Sequence, residues 1–261
     1  MPVDNTLYDR LAETWWDENK VLNILRTWVN PGRFGYSQEV LERLKVDPRG
    51  KETLDVGCGG GLLAEEFARL GCRVTGIDPS ELSLATARVH AERGGLAIDY
   101  RPGFGEDLPF ADESFDIVYC CDVLEHVSHL EAVIAEIARV LKPGGFFFYD
   151  TINRTWISNL ITIKLLQEWK VTRVMPSNIH DWQMFIKPRE LLGVMRRRGL
   201  VPQETVGVGP HANLGDFIEL IYMRMWGEFS FKDAGTRIKM GKVRNKWNLY
   251  MGYALKASNL L

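Results

Sequence analysis

A glycine-rich segment, Leu54–Leu62, carries the clearest chemical signal in the sequence. Its glycines are Gly57, Gly59, Gly60 and Gly61. Glycines let a backbone turn sharply and approach a ligand closely, as in loops that hold nucleotide-like cofactors. Asp78 ends the next apolar run, where a carboxylate can accept hydrogen bonds from both hydroxyls of a ribose. The segment therefore predicts a binding turn for a ligand that contains a nucleoside.

Asp55 indicates the charge of that ligand. It precedes Gly57 by two residues, and the sixth position counted from Gly57 is Leu62, where the dinucleotide-binding pattern has glycine or alanine. A carboxylate here would repel a pyrophosphate and attract a cationic sulfonium or amino group. A dehydrogenase is therefore a weak interpretation, and a glycine turn without a ligand is the alternative that this segment alone leaves open.

A second reactive group comprises Asp122, Glu125 and His126, directly after a predicted strand. Ligands of an open α/β sheet bind at the carboxyl ends of its strands, so this group is expected beside the glycine loop. Two carboxylates and an imidazole can bind a divalent cation, or they can shape a pocket without one. The residues alone favour neither interpretation.

Alternating strands and helices are predicted to position both groups. Strands are expected at 53–56, 73–77, 98–101, 115–121, 146–151, 201–208 and 249–256, and helices at 62–70, 82–92, 130–141 and 189–198. Strands separated by helical patterns of roughly 10–15 residues indicate βαβ units and a parallel sheet covered on both faces. The predicted fold class is therefore α/β, a doubly wound, mostly parallel sheet of seven strands.

The 261 residues are expected to form one domain. Its parts are a helical N-terminal cover (1–50), a core (51–152), an inserted lid (153–186) and a C-terminal part of the sheet (187–261). Within the cover, Asn30, Pro31 and Gly32 are predicted to break the helical pattern. Within the C-terminal part, residues 209–247 are predicted to be an irregular extra segment.

Composition narrows the class of protein. The chain is 46% hydrophobic and 25% charged, as in ordinary globular proteins, and lacks the roughly 18 uninterrupted apolar residues of a membrane span. Its start has no basic segment leading into an apolar one, so secretion is not expected. Four cysteines without metal-binding spacing fit a reducing cytoplasm. A net charge of -2 argues against nucleic acid as a partner.

Several segments together resemble the class I S-adenosylmethionine-dependent methyltransferases, a Rossmann-like fold. The glycine loop is similar to the first motif of that family, and residues 106–110 resemble the motif whose acidic residue contacts adenine. Residues 114–118 and 141–145 resemble the fourth strand and the turn before the fifth. By this resemblance the cofactor contacts are Arg33, Asp55, Gly57, Gly59, Gly61, Asp78, Asp107 and Cys121. Arg33 would reach the methionine carboxylate with a charge-assisted hydrogen bond.

Further pieces resemble the O-methyltransferases of ubiquinone biosynthesis, which methylate polyprenylated phenols and catechols. The likeness covers about residues 8–208 and includes 15–17, 30–36, 122–127, 153–154, 180–181 and 185–188. It implies methyl transfer from S-adenosylmethionine to a phenolic hydroxyl of a quinone precursor. A natural-product phenol as acceptor, or a cofactor-binding assembly factor without turnover, are the alternatives.

The resemblance also suggests roles for the second reactive group. A phenol with a pKa of about 10 needs a base or a metal near neutral pH. His126 is the first candidate base, with Glu125 as its partner or as a metal ligand, and His180 and Asp181 are second candidates. In some relatives a Glu-x-x-Glu-His group is implicated in binding Mg²⁺, which makes Asp122, Glu125 and His126 a candidate metal site. Asp122 shortens the first arm by one methylene and imidazole suits Mg²⁺ poorly, so both interpretations stay open.

The lid carries the strongest indication of a membrane contact. Its apolar residues Trp156, Ile157, Leu160, Ile161, Leu165 and Trp169 can share a helical face, beside Lys164, Glu168, Lys170 and Arg173. Residues 154–175 could lie at the inner face of a membrane, which would suit a lipid-tailed substrate, or could cover the active site. The basic stretch 232–256 is interpreted first as a solvated edge and second as a contact for lipid phosphates. The aromatic stretch 213–231 is interpreted as an extra pocket wall or an interface.

Overall fold

The computed structural model describes residues 6–211 and 238–258 and, between these ranges, residues 215, 216, 219, 222 and 223. Its strands in chain order are β1 (Glu52–Val56), β2 (Arg73–Asp78), β3 (Ile98–Pro102), β4 (Phe115–Cys120), β5 (Leu141–Ile152), β6 (Leu200–His211), β7 (Lys239–Val243) and β8 (Leu249–Lys256). They form one sheet in the order β3-β2-β1-β4-β5-β8-β6-β7. The expected α/β sheet is therefore present.

The strand order creates a binding crevice. Strands β1 to β5 pair in parallel, β8 runs antiparallel to β5 and β6, and β7 runs antiparallel to β6, so six of the eight strands point the same way. From β1 the chain proceeds outward to β2 and β3, then returns to β4 on the other side of β1. Such a reversal opens a crevice at the carboxyl ends of the strands. The glycine loop follows β1 and Asp122 follows β4, so both candidate groups meet there.

Helices cover both faces of the sheet. The α-helices are α1 (Thr6–Leu11), α2 (Asn30–Arg43), α3 (Leu62–Arg69), α4 (Glu81–Arg93), α5 (Leu130–Val140), α6 (Trp156–Ser158) and α7 (Pro188–Arg197). Short 3₁₀-helices span Ala12–Thr14 and Trp182–Met184, and π-helical segments span Leu25–Val29 and Asn159–Glu168.

The burial of β4 shows why its sequence is apolar apart from Asp116, which is only partly buried. Val118 and Cys120 pack in one core with residues of α5 and α7, whereas Ile117 and Tyr119 pack in a second core with α2, α3 and α4. Successive strand residues point to opposite faces, so a strand covered on both sides buries every residue. The prediction of a doubly wound sheet is confirmed.

Two local predictions are corrected. The sheet has eight strands rather than seven, because Lys239–Val243 forms the short edge strand β7 within the stretch expected to be irregular. Asn30, Pro31 and Gly32 do not break the helical pattern but form the first turn of α2, where proline loses no hydrogen bond. The two corrected segments contact each other, since a Cβ at Gly32 would lie 2.6 Å from the carbonyl oxygen of Met240. Gly32 therefore allows α2 to pack closely on β7.

Within the lid, several polar side chains are buried and two tryptophans are exposed. Ser158, Thr162 and Gln167 are buried, while Trp156 is 73% exposed and Trp169 is 54% exposed. The inward residues are satisfied: the Thr162 hydroxyl donates to Asn248 at 2.9 Å, for example. Among the described residues, no helix has both the length and the apolar character required to cross a bilayer.

Two sequence predictions concern residues that are only partly described. Most of the aromatic stretch 213–231 and residues 232–237 of the basic stretch lie outside the described residues. In the described part of the basic stretch, the Lys242 ammonium lies 3.2 Å from both Glu39 and Glu204, and Lys256 lies 3.3 Å from Glu113. These ion pairs are what the solvated-edge interpretation expects.

Candidate active site

A cavity of about 540 Å³ lies at the carboxyl ends of β1, β2 and β4. The sequence-predicted residues on its wall are Arg33, Asp55, Gly57, Gly59, Asp78, Cys121, Asp122 and His126. The cover contributes Tyr8 and Trp15, and the loop after β3 contributes Phe104 and Glu106. One cavity therefore contains both the glycine loop and the candidate base.

The glycine loop is held open by its own backbone and by Asp78. Gly57, Gly59 and Gly61 have φ angles of 77°, 51° and 79°, in the left-handed region that favours glycine. One carboxylate oxygen of Asp78 accepts a hydrogen bond from the Gly59 amide at 2.9 Å, and the other accepts one from the Ser80 amide at 2.8 Å. Asp78 therefore ties the end of β2 to the loop and faces the cavity, as a ribose-binding carboxylate must.

The cover docks directly on the glycine loop. The Trp16 indole N–H donates to the Gly60 carbonyl at 2.9 Å, and the Trp15 indole N–H donates to Ser83 at 3.0 Å. A Cβ at Gly60 would lie 2.2 Å from Trp15. A side chain at Gly60 would therefore clash with the Trp15 side chain of the cover. The sequence analysis had attributed the glycines only to ligand binding.

Negative charge dominates the cavity wall. Its described acidic residues are Asp9, Asp55, Asp78, Glu106 and Asp122, against the single arginine Arg33. Asp55 is almost fully buried, and burial raises the pKa of its carboxyl group well above the usual range. A cationic ligand beside Asp55 would favour the ionised carboxylate, as expected for a sulfonium cofactor.

Arg33 lies in a buried ion-pair network that sequence reasoning missed. Its guanidinium contacts Asp122 at 2.5 Å, pairs with Asp150 of β5, and donates to the Asn30 side chain at 3.0 Å. The Asp122 backbone amide donates to Asp150 at 2.9 Å, and Asp122 has a φ angle of 54°. One signal in the sequence could have predicted the network. Asp150 is the single acid in the apolar run 146–152, and a charge in a buried strand needs a partner of opposite charge.

The candidate base lies at the junction of the core, the cover and the lid. Glu125, His126 and His180 place ligand-type atoms within 4.8 Å of one another, and the Tyr8 hydroxyl lies 3.5 Å from His126 Nε2. Burial lowers the pKa of His126 to about 4, with partial compensation from the Asp122 carboxylate. Burial, aided by the carboxylates of Asp122 and Asp150, raises the pKa of Glu125. An imidazole that is neutral near pH 7 therefore lies beside a carboxyl group that holds protons strongly.

The remaining predicted residues divide into those at the site and those away from it. His180 stacks obliquely on His126, with ring centroids 5.2 Å apart. Asp181 instead caps the 3₁₀-helix Trp182–Met184, accepting a hydrogen bond from the Gln183 amide at 2.9 Å. Asp107 is exposed, and its neighbour Glu106 lines the cavity in its place. Tyr8 was not predicted, because no pattern links residues so far apart in the chain.

Comparison with known proteins agrees with this geometry. A family model described as a methyltransferase domain matches residues 54–149. A ubiquinone biosynthesis O-methyltransferase from Methylobacterium sp. (strain 4-46) is 39% identical over 211 residues, covering 78% of this chain and 84% of that protein. Another from Hahella chejuensis is 39% identical over 234 residues, covering 85% of this chain and 95% of that protein.

Solved structures agree on the fold. A SAM-dependent methyltransferase from Thermotoga maritima aligns with a TM-score of 0.62 at 18% identity, over 96% of this chain and 98% of that chain. One from Aquifex aeolicus aligns with a TM-score of 0.59 at 13% identity, over 95% and 98% of the two chains. The curated relatives and the family model show that the chain belongs to the ubiquinone biosynthesis O-methyltransferase family and is an S-adenosylmethionine-dependent O-methyltransferase.

Proposed function

We propose that this enzyme methylates a phenolic or catechol hydroxyl of a polyprenylated quinone precursor. The observation that carries the proposal is the position of His126, a neutral imidazole on the wall of the cavity that also contains the glycine loop. The names of the curated relatives, which place them in ubiquinone biosynthesis, support the choice of acceptor. A bound acceptor could therefore present its hydroxyl to the base and to the methyl donor together.

The proposed reaction is one displacement with one proton transfer. The acceptor oxygen forms a bond to the methyl carbon while the bond from sulfur to that carbon breaks, leaving S-adenosylhomocysteine as a neutral thioether. The hydroxyl proton becomes strongly acidic as the new bond forms, so an imidazole with a pKa of about 4 can accept it. Burial raises the pKa of Glu125, so near pH 7 its carboxyl group already carries a proton, and the proton that His126 accepts is released to solvent. His180 packs against His126 and keeps its ring in place.

Magnesium does not fit the residues present. Among the described residues, the buried atoms Glu125 Oε1, His126 Nδ1 and His180 Nδ1 lack hydrogen-bond partners, so the cluster offers one oxygen and two nitrogens. Mg²⁺ prefers an octahedron of oxygen ligands. The third residue of the sequence-predicted metal site, Asp122, is already paired with Arg33. We therefore assign the cluster to proton transfer without a metal.

Incubation with radiolabelled S-adenosylmethionine tests the acceptor. We expect methyl transfer to catechols, with the highest kcat/KM for a catechol that carries a prenyl chain, because a partly apolar cavity rewards apolar contact. Turnover should persist in EDTA, since no metal is assigned to the step. The products would be measured as labelled ether after extraction.

The same panel separates the alternatives. A preference for unprenylated natural-product phenols would contradict the quinone precursor and leave the O-methyltransferase activity standing. Binding of S-adenosylhomocysteine without turnover on any phenol would favour an assembly factor. Calorimetry with NAD in parallel should give no heat of binding, because Asp55 opposes a pyrophosphate.

We further propose that the lid touches a membrane surface, where a lipid-tailed acceptor would be found. Its exposed apolar side chains are Trp156, Leu160, Trp169 and Val171, and Trp247 is 60% exposed on a neighbouring loop. The Thr155 hydroxyl donates to the Trp247 carbonyl at 2.5 Å, which joins the two segments. Exposed tryptophans beside lysines are typical of helices that lie in the headgroup region of a bilayer.

Flotation with liposomes tests this contact. The Trp156→Ser/Trp169→Ser variant should bind vesicles containing anionic lipid about tenfold more weakly, because each indole contributes apolar area. Leu82→Ser is the matched control, since Leu82 is 58% exposed on α4, outside the lid. Wild-type protein that stays at the bottom of the gradient, or equal loss in both variants, would contradict the proposal.

A further inference from the structure

The Arg33 guanidinium is already engaged within the protein by two ion pairs and by hydrogen bonds from both of its terminal nitrogens. Nη1 donates to Asn30 at 3.0 Å, Nη2 contacts Asp122 at 2.5 Å and Asp150 at 3.3 Å, and Nε pairs with Asp150. Arg33 is 5% exposed and Asp150 is 1% exposed, so water competes little with these contacts. Arg33, the one arginine that the described residues place on the cavity wall, is therefore not an open receptor for an anion.

The charges of this network leave a negative surplus. Two carboxylates, from Asp122 and Asp150, face one guanidinium. Asp122 lines the main cavity, whereas Asp150 lies behind Arg33 and does not appear on that wall. Charges interact strongly in a poorly hydrated interior, so the excess negative charge repels an anion and attracts a cation that approaches Arg33.

S-adenosylmethionine carries both a carboxylate and an ammonium group, and in the proposed function this amino-acid end would lie beside Arg33. Its carboxylate must compete with Asp122 and Asp150 for Arg33, while its ammonium is attracted by the same two acids. We propose that Asp150 limits how tightly the enzyme binds the carboxylate of its cofactor, because it holds Arg33 in an internal ion pair. The inference rests on S-adenosylmethionine being the methyl donor in the proposed function.

Asp150 acts as a positioning residue in this arrangement. It accepts the Asp122 backbone amide at 2.9 Å and thereby supports the left-handed conformation of Asp122, whose φ angle is 54°. Through that bond and the ion pair, Asp150 fixes both charged groups that the amino-acid end of the cofactor would meet. A strained residue in such a position needs surrounding contacts that hold it.

Calorimetry with two ligands tests the inference directly. S-adenosylhomocysteine and its decarboxylated analogue differ only in the carboxylate. For the wild type at pH 8 we expect their Kd values to agree within about threefold, because Arg33 is already paired. Asp150→Asn should tighten the binding of S-adenosylhomocysteine about tenfold relative to that of the analogue, because both ligands lose the same attraction for their ammonium group and only the carboxylate loses a repelling charge.

Asp116→Asn is the matched control, since Asp116 is a partly buried acid paired with Lys51 and Lys142 away from the cavity, and neither Kd should change. Asp150→Ser removes the same charge with a smaller side chain and should reproduce the tenfold gain.

A wild type that prefers S-adenosylhomocysteine to the analogue by more than about 30-fold, or an Asp150→Asn variant that binds both ligands more weakly by the same factor, would overturn the inference. Absence of binding of either ligand to the wild type would instead contradict the proposed function.

Discussion

His126→Gln is expected to lower kcat for methylation of a catechol by about 10²- to 10⁴-fold, the usual contribution of a general base. Glutamine has a similar length but cannot accept a proton in the pH range of an assay. His126 touches Tyr8 and His180 rather than the glycine loop, so the Kd of S-adenosylhomocysteine should stay within about twofold. Initial rates and calorimetry on the same preparation would measure both effects.

His129→Gln is the matched control for this variant. His129 lies only three residues further along the chain, but it is exposed at the start of α5 and is not part of the cavity wall. Its substitution should leave kcat unchanged. If His126→Gln keeps most of its turnover, His126 is not the base, and Glu125 becomes the next residue to replace.

Local sequence patterns predicted the cofactor loop well because its structure is determined locally. Alternation of apolar strands with amphipathic helices fixes a doubly wound sheet, and the sheet brings the end of β1 close to the end of β2. Gly57, Gly59 and Gly61 then need positive φ angles, and Asp78 reaches the loop backbone. Each step depends on neighbours within one βαβ unit.

The rest of the site was harder to predict because distant segments build it. The Tyr8 hydroxyl and His126 are 118 positions apart, and Arg33 and Asp150 are 117 positions apart. Hydrogen bonds from Trp15 and Trp16 hold the cover on the core, and the same cover places Tyr8 beside His126. A spacing pattern within one segment contains no information about such contacts.

Edge features were also missed for a physical reason. Lys239–Val243 needs only β6 as a partner, so it forms a strand without the largely apolar sequence of β4. The exchange of Asp107 for Glu106 on the cavity wall has a similar origin. The sequence alone does not distinguish the adjacent acids Glu106 and Asp107. In the structure Phe104 and Asp107 form an isolated antiparallel bridge, and Glu106 is the acid on the cavity wall.

Arg33→Met is expected to lower the free energy of unfolding by about 3–5 kcal/mol at pH 8. The substitution keeps an unbranched side chain of similar length but leaves Asp150, which is 1% exposed, without its cation. Burial raises the pKa of Asp150 and Arg33 lowers it, so removing Arg33 raises that pKa further. A carboxyl group whose pKa is raised on folding supports stability at low pH and loses that support as pH rises. The deficit of Arg33→Met relative to wild type should therefore grow between about pH 5 and pH 8, which urea denaturation at several pH values would measure.

The double variant Arg33→Met/Asp150→Asn distinguishes charge from packing. Asparagine can still accept the hydrogen bond from the Asp122 amide but carries no charge, so the unpaired anion disappears while the shape is kept. We expect the double variant to recover at least half of the lost stability and to lose most of the pH dependence. A double variant as unstable as Arg33→Met at every pH would mean that Arg33 stabilises the fold through packing. In that case the charge of Asp150 would not be what holds Arg33 in place. The tenfold gain in cofactor affinity that we expect from Asp150→Asn should then not be observed.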